Sequence, residues 1–407
     1  MKKIINQTHS KETFQYALSR TLERASYYGL RSLLILFMID SFLKVKRSDA
    51  FSIYAWFMFL LLFSKIIGAV IGDLIIGNRK AIIVGGILQA LGVFSFCIHS
   101  IIGLYIGLFL VSLGNGLYTP NITSNFGKLY LTKTKLLDAG FTILYLAASL
   151  GAFLSVITIG KIGEKYDWDF NFIILGILML LSIVPIIISK DNILEQITKS
   201  EANTNYKTIN IIIAFIAVSM FWIFYRIGNY QIFDLQLKLR EFLKLDILRN
   251  LWTNLDSIFI LPIGIVAIIA WTHLYINQFY KLIIGLAFGA LAFTIIFLIP
   301  ETPTEKHMII YFISLLFLGI SEIHISPIYY SILTKNSNPK FLAILISLTY
   351  VPTGIFYGII GIYSKKFYDD PMFSLKIAII GTLLLIFGLI IFIIWKKKNT
   401  YNNIYSA

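Results

Sequence analysis

The chain has 407 residues, of which 57% are hydrophobic, 15% aromatic and 14% charged. Soluble domains carry about 25% charged and about 45–50% apolar residues, so this composition excludes a soluble enzyme and a disordered chain. The net charge is +14. In so apolar a chain we assign the basic residues to loops that set membrane orientation, and we expect no nucleic-acid partner.

Apolar runs of membrane-spanning length recur along the chain and indicate helices. They are continuous, as in IIVGGILQALGVFSFCI, whereas strands of a membrane β-barrel alternate apolar and polar residues. In lipid the backbone must satisfy its own hydrogen bonds, which favours helices. We predict twelve spans, at residues 26–43, 50–76, 80–99, 101–125, 138–160, 170–189, 208–236, 250–274, 280–299, 308–333, 341–364 and 373–395.

Twelve spans place both termini on one side of the bilayer. If that side is the cytoplasm, the inner segments hold 19 Lys and Arg residues and the outer loops hold 12. Because cytoplasmic loops carry the excess of basic residues, the count favours cytoplasmic termini. The abundance of Ile, Lys and Asn is typical of an A+T-rich bacterial genome, so we expect the cell inner membrane.

The longest polar inner stretch, DNILEQITKSEANTNYKT, separates six spans from six. We therefore predict an amino-terminal six-helix bundle at 1–190, a cytoplasmic linker at 191–207 and a carboxy-terminal six-helix bundle at 208–407. This all-α integral membrane layout is that of the major facilitator fold, in which a substrate site lies at the midplane between the halves.

Several other function classes lack their sequence signals. No G-x-x-x-x-G-K-[ST] loop is present, which excludes a primary pump of that type, and no filter-like repeat favours a channel. An intramembrane enzyme is not supported, because the sequence has no H-E-x-x-H motif and no pair of mid-span carboxylates on one helix. We expect no enzymatic activity, no cofactor and no metal.

Charged residues inside the spans indicate function, because they are costly in lipid. Glu23 and Arg24 lie at the cytoplasmic mouth of the first span, where function and simple solvation both remain open. Arg31 lies two turns deeper and shares a helix face with Tyr27 at i, i+4. A guanidinium beside a phenol suits a ligand carboxylate. The full set is Glu23, Arg24, Arg31, Lys65, Asp73, Arg226, Asp256 and Glu322.

The charged residues of the later spans carry alternative interpretations. Arg226 lies mid-span in the seventh helix, where a buried arginine needs a carboxylate or an anionic substrate. Glu322, mid-span in the tenth, either pairs with Arg226 or binds a substrate ammonium. Lys65 is expected to reach a polar neighbour rather than substrate, and Asp256 to lie near the outer, wet end of the eighth span.

The end of the second span predicts an ion-pair cluster for gating or structure, in which Asp73 precedes Arg79 and Lys80. In the fourth span, GNGLYTPN holds two glycines and Pro120. This break indicates either a cavity lined by freed carbonyls or close helix packing through small residues. SPIYYS in the tenth span is interpreted in the same two ways.

Five stretches of the chain, taken in order, carry a family resemblance. They are LERASYYGLRSLLILFM, GAVIGDLIIGNRKAIIVGGILQALG, GNGLYTPNITSNFGKLY, DAGFTILYLAASLGAF and LGISEIHISPIYYSILTK. They resemble the motifs ExxERFxYYGxR, GGxxADxxLGRxRTI, GTGxFKPNxSxxxGxLY, DAGFxxFYMxINxGAF and LGELxxSPxGLSxxTK of the proton-dependent oligopeptide transporter family of the major facilitator superfamily.

The resemblance implies uptake of di- and tripeptides, or related amino-acid-like solutes, driven by inward proton flow. The partners it implies are a small-molecule substrate, protons and the lipid bilayer, with the chain acting as a monomer. The candidate substrate-binding residues are Tyr27, Tyr28, Arg31, Asn121, Tyr145, Ser149, Arg226 and Glu322. The candidate coupling and gating residues are Glu23, Arg24, Asp73 and Arg79.

Four positions depart from the family pattern. The first Glu of the first-helix motif falls on Arg20, the fourth-helix Lys on Thr119, the fifth-helix Asn on Ser149 and the seventh-helix Glu on Arg226. These changes make the site more cationic by three charges. We therefore expect cargo more negative than a neutral dipeptide, or proton coupling that runs through Glu23 or Glu322.

The leading prediction is a secondary transporter that works by alternating access, with peptide-like cargo. The first alternative is a facilitator or exchanger of small organic anions or acidic peptides, with altered or lost proton coupling. The second is a sensor whose cavity binds ligand without transporting it.

Overall fold

The computed structural model describes residues 2–3, 8–40, 43–163, 167–190, 208–243, 252, 255–356, 367 and 369–405. The predicted linker at 191–207 and the side chain of Asp256 lie outside this description. The twelve principal helices of the described residues are α1 (Lys11–Ile39), α2 (Arg47–Ile71), α3 (Asn78–Ser95), α4 (Ile101–Lys128), α5 (Leu137–Gly163), α6 (Trp168–Ile188), α7 (Thr208–Arg240), α8 (Leu255–His273), α9 (Gln278–Ile296), α10 (His307–Asn336), α11 (Leu342–Leu348) and α12 (Pro371–Tyr405).

The remaining regular structure is short. A π-helical turn, Gly72–Ile76, extends α2, and the apolar helical stretch that contains α11 runs from Pro339 to Phe356. Strand β1 (Lys2–Lys3) pairs antiparallel with β2 (Leu274–Tyr275), with Lys2 opposite Tyr275.

Nine helical stretches within the described residues are long and apolar enough to cross a membrane. The prediction of an all-helical, multi-pass membrane protein is thereby confirmed. They are Arg47–Ile76, Ile101–Lys128, Thr134–Ser155, Trp168–Ile188, Thr208–Arg240, Gln278–Ile296, His307–Asn336, Pro339–Phe356 and Pro371–Asn399.

The first helix begins well before its predicted apolar span. The prediction began at residue 26, whereas α1 begins at Lys11. Its first half is polar in composition, but Thr13, Tyr16 and Ser19 are fully buried. Hydropathy finds apolar runs, so it misses a helix whose buried face is built from hydroxyl-bearing side chains.

The described residues group into two compact units. The amino-terminal unit comprises Asn6–Tyr206 with Leu333–Gly354, and it includes α1 to α6 and α11. The carboxy-terminal unit comprises Lys207–Ile332 and Ile355–Ala407, with Met1–Ile5. The domain boundaries expected from the sequence, with the linker between them, stay a prediction.

In the amino-terminal unit, glycines bring α4 into backbone contact with α2 and α3. A Cβ atom at Gly116 would overlap the carbonyl of Ser64, and one at Gly68 would overlap Gly116 itself. On α3, a Cβ at Gly85 would lie 2.6 Å from the Gly114 carbonyl oxygen. Because α4 continues through Pro120, the glycines of GNGLYTPN serve close helix packing, the second of the two interpretations.

We expect Gly116→Ala to destabilise the protein. The new methyl group has no space beside the Ser64 carbonyl, and overpacking of this kind costs about 1–3 kcal/mol. The Tm in detergent should fall. Gly388→Ala is the matched control, since a Cβ there meets nothing within 4 Å. Equal shifts for the two variants would show that close approach is not what Gly116 provides.

The residues that precede α1 give a second prediction. The His9 Nδ1 lies 2.9 Å from the Tyr130 hydroxyl, and the Lys133 ammonium donates to the Thr8 carbonyl at 3.2 Å. Burial, and then the charge of Lys133, lower the pKa of His9. The folded state therefore disfavours the protonated imidazole, so stability is full above the unfolded pKa of about 6.5 and is lost as the pH falls through it.

The measurement is the Tm of the protein and of His9→Asn at about pH 8 and about pH 5.5. We expect the Tm of the unmodified protein to fall more on acidification than the Tm of the variant. Parallel falls would mean that other groups account for the acid sensitivity.

Candidate functional site

A buried ion-pair cluster lies on α1. The carboxylate of Glu23 is fully buried, and its Oε2 accepts from Arg24 Nε at 2.8 Å and from Arg20 Nη1 at 3.2 Å. Arg24 Nη2 also donates to Oε1 at 3.2 Å. The solvated alternative for Glu23 and Arg24 is therefore wrong: their charges are paired inside the protein, where breaking one partner is costly.

Helix α4 completes this cluster with neutral groups. Arg24 Nη2 donates to the Thr119 hydroxyl at 2.7 Å, and the Asn115 amide donates to Glu23 Oε1 at 3.4 Å and to Gln89 Oε1 at 3.4 Å. Sequence reasoning missed Asn115 and Gln89. The sequence did offer a signal for both: Asn115 is a polar residue between two glycines, and Gln89 is a polar residue within an apolar run.

The Arg31 guanidinium lies among tyrosines. It donates to the Tyr54 hydroxyl from Nε at 3.0 Å and from Nη2 at 2.9 Å. Its Cζ is 5.8 Å from the centre of the Tyr27 ring and 5.6 Å from that of Tyr28, within cation–π range. The predicted juxtaposition of Arg31 with both tyrosines is present, and α2 adds Tyr54, which the sequence did not single out.

Lys65, on α2, faces an aromatic ring. Its Nζ lies 3.9 Å from the centre of the Tyr350 ring, in the stretch that follows α11. Its charge interacts with those of Arg20, Arg24, Arg31 and Glu23. The expectation of a polar neighbour is thus corrected: within the described residues Lys65 contacts the face of an aromatic ring.

Two further candidates share a face of α5. Tyr145 and Ser149 are both half-buried, and the Ser149 hydroxyl donates to the Tyr145 carbonyl at 3.2 Å. Between them in the sequence, and on the other side of α5, the Ala147 carbonyl accepts from the Thr21 hydroxyl of α1 at 3.0 Å. This contact fixes α5 against the helix that carries the charged cluster.

The cluster around Asp73 differs from the prediction in its basic partner. Asp73 Oδ1 lies 3.6 Å from the Lys128 ammonium and accepts from the Asn78 amide at 2.8 Å, while Oδ2 accepts from the Ile344 backbone at 2.9 Å. Arg79 instead donates to the carbonyls that end α6, reaching that of Ser189 at 2.6 Å. Asp73 therefore ties α2 to α4 and α11, and the expected pairing with Arg79 is wrong.

Asn121 occupies a structural position. It is fully buried. Its amide donates to the carbonyls of Gly68 and Leu117 at 2.8 and 2.7 Å, and its oxygen accepts from Asn78 at 2.7 Å. All of these bonds lie within the protein, so Asn121 joins α2, α3 and α4; its expected part in substrate binding stays a prediction.

In the carboxy-terminal unit, Glu322 and Arg226 occupy different environments. Glu322 is buried and accepts a short hydrogen bond from the Tyr225 hydroxyl. Arg226, next along α7, has an exposed side chain, which corrects the expectation that it is buried. His324, which is half-buried, bonds the Ile320 carbonyl at 2.8 Å and packs edge-on against Trp271.

Among the described residues, no group of three or more His, Cys, Asp and Glu side chains is placed to hold a metal ion. The chemistry of the site is that of guanidinium, ammonium, phenol and carboxylate groups. These groups bind anionic and cationic parts of a solute and exchange protons.

Comparison with known proteins identifies relatives in sequence. The family model of the Major Facilitator Superfamily matches residues 17–351. The uncharacterized transporter YclF of Bacillus subtilis (strain 168) is 30% identical over 181 residues, 43% of this chain and 37% of that protein. Dipeptide and tripeptide permease A of Pectobacterium carotovorum subsp. carotovorum (strain PC1) is 28% identical over 164 residues, 40% of this chain and 32% of that protein. The chain thus spans about a third of the length of these curated relatives.

Solved structures share the fold. A peptide transporter POT variant in complex with sulfate has a TM-score of 0.62 at 21% identity, over 94% of both chains. A POT family transporter in complex with 5-aminolevulinic acid has a TM-score of 0.58 at 19% identity, over 96% of this chain and 97% of that one. The proton:xylose symporter XylE has a TM-score of 0.69 at 14% identity, over 92% and 94%. The predicted resemblance to oligopeptide transporters is confirmed.

The Asp73–Lys128 pair gives a prediction of its own. We expect Asp73→Asn and Lys128→Met each to lower the Tm, and the double variant to lose less than the sum. The coupling between contacting buried groups is about 0.5–3 kcal/mol. The control is the pair Asp234–Lys238 on α7, at 2.7 Å, whose lysine is exposed and whose aspartate is half-buried; coupling in such i,i+4 surface pairs is about 0.3–0.5 kcal/mol. Equal coupling for the two pairs would contradict a structural role for Asp73.

Proposed function

Because the chain belongs to the major facilitator superfamily, we propose that it is a secondary active transporter that takes up di- and tripeptides, or related amino-acid-like solutes. Uptake is coupled to inward proton flow and proceeds by alternating access of the cargo site. Support comes from the five motifs, from the permease relative and from the site residues described above.

The observation that carries the proposal is the environment of Arg31. Its guanidinium is half-buried and, within the described residues, its side-chain contacts are the tyrosines Tyr27, Tyr28 and Tyr54. A guanidinium held by neutral phenols keeps its charge available, and it binds a carboxylate bidentately. Arg31 is the proposed anchor for the C-terminal carboxylate of a peptide. Tyr27, Tyr28, Tyr145 and Ser149 line the same site.

Proton coupling is assigned to Glu23. It is the carboxylate that Arg20 and Arg24 both contact, so its protonation would release two guanidinium groups at once. Both carboxylate oxygens of Glu23 accept from guanidinium groups. Proton uptake by Glu23 therefore requires these contacts to open during the transport cycle.

Two charged residues of the carboxy-terminal unit are also assigned roles in this proposal. Glu322, buried and bonded by Tyr225, is proposed to bind the cargo ammonium. Arg226, exposed on α7, is proposed to meet anionic cargo.

The proposal includes the location, topology and oligomeric state of the protein. We propose that both termini lie in the cytoplasm, on the Lys and Arg count. The Ile-, Lys- and Asn-rich composition supports the cell inner membrane, and the resemblance to oligopeptide transporters supports a monomer.

The test is uptake of labelled dialanine into proteoliposomes, with and without an inward proton gradient. We expect gradient-dependent uptake, and Arg31→Ala should reduce it about tenfold or more because a charge-assisted contact is lost. Arg47→Ala is the matched control, since Arg47 is exposed at the start of α2 and its ring contact is with Phe51.

Glu23→Gln separates coupling from binding. A glutamine cannot take up the proton, so uptake driven by the gradient should disappear while exchange of internal for external dialanine persists. Uptake that ignores the proton gradient in the unmodified protein would support the facilitator alternative. Binding without any flux would support the sensor.

A further inference from the structure

Lys65 is a cation in the membrane region whose contacts are aromatic. Its Nζ lies over the Tyr350 ring at 3.9 Å, and within the described residues no carboxylate lies within ion-pair distance of it. Its charge interacts with those of Arg24, Arg20 and Arg31, and with the single negative charge of Glu23. A lysine in the membrane region that contacts an aromatic ring and, within the described residues, no carboxylate is a candidate for binding an anion.

The carboxylate of Glu23 is too little negative charge for the basic side chains around it, which are Arg20, Arg24, Arg31 and Lys65. Its two oxygens already accept from Arg20 and Arg24. Three arginines and one lysine thus share a carboxylate that two of the arginines already occupy. Arg31 and Lys65 are the two that make no contact with Glu23, and each rests against the rings of tyrosines.

These two cations stand on different helices, Arg31 on α1 and Lys65 on α2. The close approach of α2 to α4 at Ser64 and Gly116 fixes the backbone next to Lys65. Tyr350 is held on the same side, since Gly354, one turn further on, packs against Leu62 of α2. Lys65 and Tyr350 therefore form a built position for an anionic group, separate from the phenols around Arg31.

We propose that Lys65 and Tyr350 form a second anion-binding position of the cargo site, which selects di- and tripeptides that carry an acidic side chain. A neutral dipeptide has one carboxylate, which Arg31 binds. An acidic peptide has a second, which the Lys65 ammonium binds while Tyr350 shields it from lipid and water. This inference rests on the proposed function, whose cargo class it narrows.

The experiment compares Ala-Glu with its neutral isostere Ala-Gln, at about pH 7 where the glutamate side chain is ionised. Each unlabelled peptide competes with labelled dialanine for uptake into proteoliposomes, and each is also tested for thermal stabilisation of the detergent-solubilised protein. The variants are Lys65→Met, Lys65→Arg and the control Lys80→Met, whose lysine is exposed. The Tm without ligand verifies that each variant folds.

We expect Ala-Glu to compete about tenfold better than Ala-Gln, the effect of one charge-assisted contact. Lys65→Met should bring this ratio to about one and leave competition by Ala-Gln unchanged. Lys65→Arg and Lys80→Met should keep the preference. If Lys65→Met does not fold, two other variants test the inference. The preference for Ala-Glu over Ala-Gln should survive in Lys65→Arg and be lost in Tyr350→Leu.

Two results would overturn the inference. One is equal competition by Ala-Glu and Ala-Gln in the unmodified protein, with dialanine still transported; the proposed function would then stand. The other is that Lys65→Met weakens uptake of dialanine and competition by Ala-Glu and Ala-Gln to the same extent. If none of the peptides stabilises the protein or is taken up, the proposed function fails, and the acidic preference fails with it.

Discussion

Glycines in α2, α3 and α4 remove the side chains that would hold these helices apart, and the charged site depends on this approach. Lipid offers no hydrophobic drive for helix association, so close packing and interhelical hydrogen bonds hold membrane helices together. A turn or so beyond the contact at Gly116, α4 places Thr119 against Arg24 and Asn121 against the Gly68 carbonyl. A bulkier residue at the contact would move both polar side chains away from their partners.

The distribution of charge follows from which side chains α4 presents to α1. The position where oligopeptide transporters carry a lysine is Thr119, whose hydroxyl accepts from Arg24 without adding charge. Positive charge enters instead from Arg20 on α1 and Lys65 on α2. Because Glu23 is bonded to both arginines near it, the side chains of Arg31 and Lys65 face tyrosine rings and not a carboxylate. Within the described residues, this cluster of the amino-terminal unit holds more basic side chains than carboxylates.

The sequence predicted well those features that depend on neighbours along one helix. Arg31 and Tyr27 meet because residues at i, i+4 share a face. The clustering of Asp73 with basic residues was also expected, but its partner is Lys128 and not Arg79. Arg79 is near in sequence, yet it turns to the carbonyl end of α6, while Lys128 reaches Asp73 from α4. Such partners depend on helix packing, which hydropathy and local spacing do not describe.

Length and continuity of the apolar runs were enough to predict a helical, multi-pass membrane protein, because a backbone in lipid has few other ways to satisfy its hydrogen bonds; nine of the described helical stretches are long and apolar enough to span, and the number twelve stays a prediction. The motifs were enough to indicate the resemblance to oligopeptide transporters. The tertiary structure alone shows what each polar residue contacts. Glu23 is buried between two arginines and Asn121 is buried among packed helices. Arg226 is exposed, and Lys65 lies over the Tyr350 ring. These contacts join residues far apart in the chain, so they depend on the distances between helices, which are set by glycines and side-chain volume and not by the order of polar and apolar residues.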